Sequence, residues 1–143
     1  MEVKTSSSRQ TQKIAQKLAK SLNGGEVIAL FGDLGAGKTV FVQGLAKGLG
    51  IKRRIISPSF VFMRTYPIIL SHQTLTFYHL DLYRGQNMAD LTSLGLGEIF
   101  SPDSIVVLEW AERIKESLPQ KRIDVFIEVV DEKTRRIAIK RQD

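Results

Sequence analysis

The run Val27-Ile28-Ala29-Leu30-Phe31, continued by Gly32-Asp33-Leu34-Gly35-Ala36-Gly37-Lys38-Thr39, decides the fold. Five apolar residues of strand length lead into an octapeptide that satisfies G-x-x-x-x-G-K-[ST] at every fixed place. Beyond it, Phe41, Val42, Leu45, Ala46 and Leu49 recur at helical spacing. Strand, glycine loop and helix thus follow in the order a phosphate-binding loop needs. Glycine lets the backbone curl until successive N–H groups point inward at phosphate oxygens, where a Cβ would obstruct them. Gly35, Ala36, Gly37, Lys38, Thr39 and Val40 are the expected cradle. The Lys38 ammonium is expected on the β- and γ-phosphates and the Thr39 hydroxyl on Mg²⁺. The positive N-terminal end of the helix adds to both.

Length and composition set the bounds. A chain of 143 residues suits a single domain, residues 1–143, with 43% hydrophobic and 25% charged residues. No apolar stretch approaches the roughly 20 residues a membrane span needs, and the first nine residues lack an apolar signal core. A cytoplasmic protein with no membrane partner is expected. With no cysteine, disulfides and thiolate metal sites are excluded. The net charge of +6 gathers in Lys52-Arg53-Arg54, Arg135-Arg136 and Lys140-Arg141. Such short clusters usually form solvated rims, and no interleaved aromatics accompany them, so they are compatible with RNA without demonstrating it.

Along the chain, Ile14, Leu18 and Leu22, flanked by Ala15 and Ala19, predict an amphipathic helix over residues 9–22, stopped by Asn23-Gly24-Gly25. Gly48 and Gly50 close the helix after the phosphate loop. Val61-Phe62-Met63 reads as a strand, and residues 67–73 read as a loop despite Ile68-Ile69-Leu70. Residues 75–82 alternate, with Phe77, His79 and Asp81 on one face and Tyr78, Leu80 and Leu82 on the other. Residues 89–94 and 111–117 read as short helices. Ile105-Val106-Val107-Leu108 has the continuous apolar character of a strand buried on both faces. Residues 123–130 and 137–139 alternate around a polar turn, a terminal hairpin. The expected fold is α/β: a three-layer sandwich like that of P-loop NTPases, with a mixed, mainly parallel central sheet.

A phosphate loop also needs an acid from another strand to hold the cation. Glu109 ends the buried run at the carboxyl edge of its strand, where open α/β sheets bind ligands. Asp81 ends another strand. One could be the ligand while the other orients the attacking water. Alternatively, Asp81 pairs with Arg84 and Glu109 caps the helix that starts near Ala111. His79 reads as packed rather than as a general base, and Trp110 as packing before any nucleotide role. Ser57-Pro58-Ser59-Phe60 is either a proline turn or a segment that orders around γ-phosphate. The chain lacks the N-K-x-D and D-x-x-G signatures of GTPases, which favours ATP. A small-molecule kinase would need an arginine-bearing lid, and neither spare segment, residues 67–73 or 85–89, is arginine-rich. A nucleotide-dependent adaptor without turnover is the remaining alternative.

With these segments placed, the chain resembles the TsaE (YjeE) family, the ATPase component of bacterial tRNA threonylcarbamoyladenosine synthesis. The resemblance is carried, in order, by the phosphate loop, Ser57-Pro58-Ser59-Phe60, His79-Leu80-Asp81-Leu82-Tyr83-Arg84, Leu94-Gly95-Leu96 and Leu108-Glu109-Trp110-Ala111-Glu112-Arg113. It implies a cytoplasmic, weakly active Mg²⁺-dependent ATPase. It also implies TsaB-like and TsaD-like partners, with tRNA reached only through their complex. Lys38, Asp81 and Glu109 would be catalytic, with Thr39, Asp81 and Glu109 around the metal. Arg135 would approach the nucleotide, and Ser8 and Thr11 would edge the adenine. The chain departs from the family pattern at Val40, where a second threonine is common, and at Ser59, where Ser-Pro-Thr is common.

Overall fold

The structure, a computed structural model, describes residues 1–33, 35–55, 63–82 and 95–142. The Ser57-Pro58-Ser59-Phe60 segment, Tyr83, Arg84, the helix expected over residues 89–94 and the spare segment at 85–89 lie outside these, as do Leu34, Val61, Phe62 and Leu94. Strand β1 spans Glu2–Thr5, β2 Val27–Phe31, β3 Met63–Leu70, β4 Gln73–Asp81, β5 Ser104–Glu109, β6 Arg122–Val129 and β7 Arg135–Gln142. They form one sheet in the order β1-β7-β6-β2-β5-β4-β3. The middle strands β6, β2, β5 and β4 run parallel, and antiparallel pairs flank them on both sides.

Alternation divides the core into two layers. Ile28, Leu30, Ile105 and Val107 face helices α1 (Ser8–Ala19) and α2 (Lys38–Gly48). Val27, Ala29, Val106 and Leu108 face the short α3 (Leu96–Ile99) and a 3₁₀ stretch at Ala111–Ser117. Because β2 and β5 lie mid-sheet, both of their faces are apolar, as their uninterrupted hydrophobic runs require. The mixed sheet with helical layers on both sides is the α/β sandwich expected.

Helix α1 begins where Ser7 accepts a hydrogen bond from the Gln10 N–H, while the Gln10 side chain accepts from Ser6 N–H at 2.7 Å. Its buried residues Thr11, Ala15, Leu18 and Ala19 face α2. A Cβ on Gly44 of α2 would stand 2.5 Å from the Gln12 carbonyl, so this close helix contact requires glycine there.

One local expectation needs correction, one gains detail, and one strand was not anticipated. Residues 67–73 are not a loop: β3 runs through Pro67 to Leu70, Ser71 and His72 turn, and β4 starts at Gln73. Pro67 is tolerated because β3 is an edge strand. The turn residues Ser71 and His72 take φ of 50° and 66°, a left-handed hairpin turn made without the usual glycine signal. The short helix expected over residues 111–117 forms as a 3₁₀ stretch, with non-helical angles at Ile114. The polar N-terminus forms β1, which zips antiparallel onto β7. Among the described residues no helix is long and apolar enough to cross a membrane.

Candidate functional site

The parallel strands β2, β5 and β4 deliver their carboxyl ends to one edge of the sheet. There β2 gives way to the glycine loop and then to α2. Gly37 caps α2 with φ of 104°, a left-handed angle that a side chain would strain. Gly32 is fixed by space, since a Cβ there would sit 2.6 Å from the Ile127 carbonyl. The loop is held from outside by Arg135 at the start of β7. Its Nε donates to the Ala36 carbonyl at 3.0 Å, and its Nη1 donates to the Asp131 and Thr134 carbonyls at 3.0 and 3.1 Å. Arg135 therefore braces the loop backbone, and it also lines the cleft beside the loop, where the resemblance implies an approach to nucleotide.

Lys38, the first residue of α2, is only 4% exposed. Its Nζ donates to the Gly32 carbonyl and lies 3.2 Å from the centroid of the Trp110 ring. Burial pushes the Lys38 pKa below its ordinary value, opposed by the carboxylates of Glu112, Glu109, Asp81 and Asp33. Trp110 reaches the ammonium from a left-handed backbone, φ 61° and ψ 41°, directly after β5. Such strain at a bulky residue is uncommon outside sites with a task. Sequence reading gave Trp110 a packing role; its contact with Lys38 was missed, because a positive φ at a non-glycine residue has no sequence mark.

The Thr39 hydroxyl lies 3.2 and 3.4 Å from the two Glu109 carboxylate oxygens. Glu109 ends β5, and the β4–β5 register sets Asp81 directly beside it. Both carboxylates are buried. His79, two residues before Asp81, is fully buried, and its Nε2 sits 2.5 Å from Glu109 Oε2. The packed reading of His79 holds, yet it also fixes the orientation of Glu109, which sequence alone did not reveal. Thr39 and Glu109 are the pair able to share a divalent cation. Among the described residues there is no group of three or more His, Asp or Glu that could hold a metal. A cation here would therefore need oxygens from a ligand as well.

Beside the loop opens a cleft of about 400 Å³. Ser8, Thr11, Gly35, Ala36, Gly37, Val40 and Arg135 line it together, joined by Glu132 and Lys133 from the β6–β7 turn. Seven of the nine residues expected around the nucleotide thus share one concavity, while Lys38 and Thr39 do not line it. Thr11 is buried, and its hydroxyl is engaged with that of Thr5 at 2.7 Å.

The sequence that builds this site matches a known family. The model of the threonylcarbamoyl adenosine biosynthesis protein TsaE matches residues 5–137. The chain belongs to the TsaE family. It is 38% identical over 134 residues to the tRNA threonylcarbamoyladenosine biosynthesis protein TsaE of Bacillus subtilis, covering 94% of this chain and 81% of that one. To the protein of the same name from Nostoc it is 41% identical, over 85% of this chain and 74% of that one. The crystal structure of Bacillus subtilis YdiB superposes with a TM-score of 0.81 at 34% identity, covering all of this chain and 86% of that one.

Proposed function

We propose that this TsaE-family protein is a cytoplasmic, single-domain ATPase. It binds ATP with Mg²⁺ and hydrolyses it in support of tRNA threonylcarbamoylation, acting with TsaB-like and TsaD-like partners. The observation that carries the reading is the meeting of Lys38, Thr39 and Glu109 at the end of the glycine loop, with the hydroxyl 3.2 Å from the carboxylate. Two oxygens on adjacent positions of an octahedral Mg²⁺ lie about 3 Å apart, so this hydroxyl–carboxylate spacing fits. Mg²⁺ commonly takes one or two carboxylates plus substrate phosphates, which agrees with the lack of a three-acid cluster among the described residues. When bound, the ion supplies charge neutralisation at the β- and γ-phosphates.

The chain's own groups do the rest. The N–H groups of residues 35–40 bind phosphate oxygens. Lys38 exchanges the Gly32 carbonyl for a phosphate, and its low hydration in the free protein makes that exchange favourable. Asp81 accepts a hydrogen bond from the attacking water and aligns it. His79 keeps Glu109 in one orientation. The cleft edged by Ser8 and Thr11 takes the nucleoside, with Arg135 keeping its loop wall in place. Weak turnover in isolation is expected, because catalysis of this kind is mainly positioning and charge stabilisation, and a partner can complete both.

The test is phosphate release by the purified chain, alone and with the two partners, alongside threonylcarbamoylation of a tRNA transcript. Release to water, stimulated by partners and needed for repeated modification, is the expected result. Transfer of the γ-phosphate to a small metabolite would replace this reading with a kinase. Nucleotide binding without release in any mixture would replace it with an adaptor.

A further inference from the structure

The charge of this protein is distributed unevenly. Residues 34–80 contain six Lys and Arg and no Asp or Glu, so this stretch alone accounts for the net charge of +6. One of the six is Lys38 of the phosphate loop. The other five, Lys47, Lys52, Arg53, Arg54 and Arg64, line two adjoining clefts at the C-terminal end of α2 and the start of β3. The clefts measure about 620 and 320 Å³ and share Arg53 and Arg54 as their common wall. Among the described residues no acidic residue lines either one. Among the described residues, none of the five cations is ion-paired. Arg53 stands 5.6 Å over the ring of Tyr66, and the buried Nε of Arg64 has no hydrogen-bond acceptor among the described residues.

Complementing the negative end of α2 accounts for Lys47 but leaves the other four unexplained. Five cations held together without counter-charge repel one another, and a polyanion relieves that repulsion. The clefts also lack what a protein partner normally grips. Of their apolar members, Ala46, Ile55 and Tyr66 are buried and Ile51 and Met63 half-buried, whereas the large exposed hydrophobics Ile69, Phe126, Val129 and Val130 lie elsewhere.

We propose that the paired clefts at the end of α2 form a binding site for an RNA phosphate backbone, so that this chain itself contacts the RNA of its pathway. The recognition is sequence-independent, through Lys and Arg contacts to phosphates. The proposal rests on the tRNA reading above only for the choice of RNA, and not on hydrolysis.

Fluorescence anisotropy of an end-labelled, unmodified tRNA transcript, titrated with the full chain from 50 to 300 mM salt, tests it. Binding in the range of about 1–100 µM at physiological salt is expected, with log affinity falling against log salt at a slope of about −3 to −4. The paired substitution Arg53→Glu with Arg54→Glu is expected to weaken binding at least tenfold and to flatten the slope by about 2. Both residues are exposed, so the fold should persist; Arg53→Gln with Arg54→Gln, which removes the same two contacts and should flatten the slope by nearly as much with a smaller loss of affinity, guards against misfolding. Arg141→Glu, in a basic cleft at the other end of the sheet, should change affinity no more than about twofold. Equal loss in Arg141→Glu, no loss in the paired variants, or no salt-dependent binding by the wild type would each overturn the proposal. So would paired variants that keep tRNA but lose the protein partners, which would make the face a protein interface. Lys38→Ala should lose hydrolysis and keep tRNA, so the two readings fail separately.

Discussion

The two ends of strands β2 and β5 obey opposite rules. At the amino end, a cleft of about 480 Å³ is lined by Lys121, Arg122 and Arg141, and the arginines there have ordinary partners. Arg122 Nε lies 2.8 Å from Asp124 and its Nη1 donates to the Pro119 carbonyl, while Arg141 donates to the Ser21 hydroxyl. At the carboxyl end, an ammonium and two carboxylates are buried together, beside a tryptophan in a left-handed conformation. Identical strands enter both ends, so stability alone does not explain the difference. Buried charge and strain of this kind persist where a task holds them. The end with the larger of these two clefts is thus not the end with the chemistry.

The sharpest way to break this contrast is Glu109→Gln. The amide keeps the shape and the Thr39 contact but removes the charge that faces His79 and the cation position. Phosphate release should fall by a factor on the order of 10²–10³, as for loss of a single preorganised charge-stabilising group. Undiminished release by a cleanly purified variant would leave the carboxyl end without a privileged role.

Next in size comes Gly32→Ala. The new Cβ would meet the Ile127 carbonyl at 2.6 Å, and backbone cannot step aside as a side-chain tip can. A loss of about 2–3 kcal/mol in urea unfolding is expected, with weakened nucleotide binding in calorimetry. A neutral result would mean that the loop is loosely held and its Arg135 brace unimportant.

How much of this was readable beforehand depends on whether the signal was local. The β2–loop–α2 unit, the doubly buried β5 and the terminal hairpin each carry their pattern in one continuous stretch of chain, and all three formed as expected. The candidate site was legible as far as Lys38, Thr39, Asp81 and Glu109, because a strand's carboxyl end can be located from its apolar run. The links between elements were not legible. The hold of His79 on Glu109 depends on the β4–β5 register, and the brace from Arg135 to Ala36 spans 99 residues. The β3–β4 hairpin escaped because its turn uses Ser71 and His72 at positive φ instead of glycine. β1 escaped because a four-residue polar strand at an edge has no alternation to show.

A subtler test replaces Lys38 with methionine. Burial lowers the folded-state pKa of Lys38 below the 10.5 of an unfolded lysine, so folding disfavours the charged form. Between the folded pKa and 10.5 the unfolded chain binds more protons, and stability therefore rises with pH across that window. The nucleotide-free Lys38→Met protein should melt about 2–5 °C higher at neutral pH and lose this alkaline gain, while no longer binding nucleotide. A melting temperature below that of the wild type would show that the Gly32 carbonyl and the Trp110 ring more than offset the lost hydration.

The smallest effect belongs to the opposite end. Arg141→Ala removes one hydrogen bond, to the Ser21 hydroxyl at 2.8 Å, from a side chain that water reaches freely. Such contacts contribute little because the exposed partners rebind solvent, so a change below about 0.5 kcal/mol and unaltered phosphate release are expected. Differential scanning calorimetry and the release assay check both. A tenfold loss of release from this position would couple the amino end to the phosphate loop across the full length of β2. The two ends would then be one device, and the division between a merely structural edge and a reactive one would dissolve.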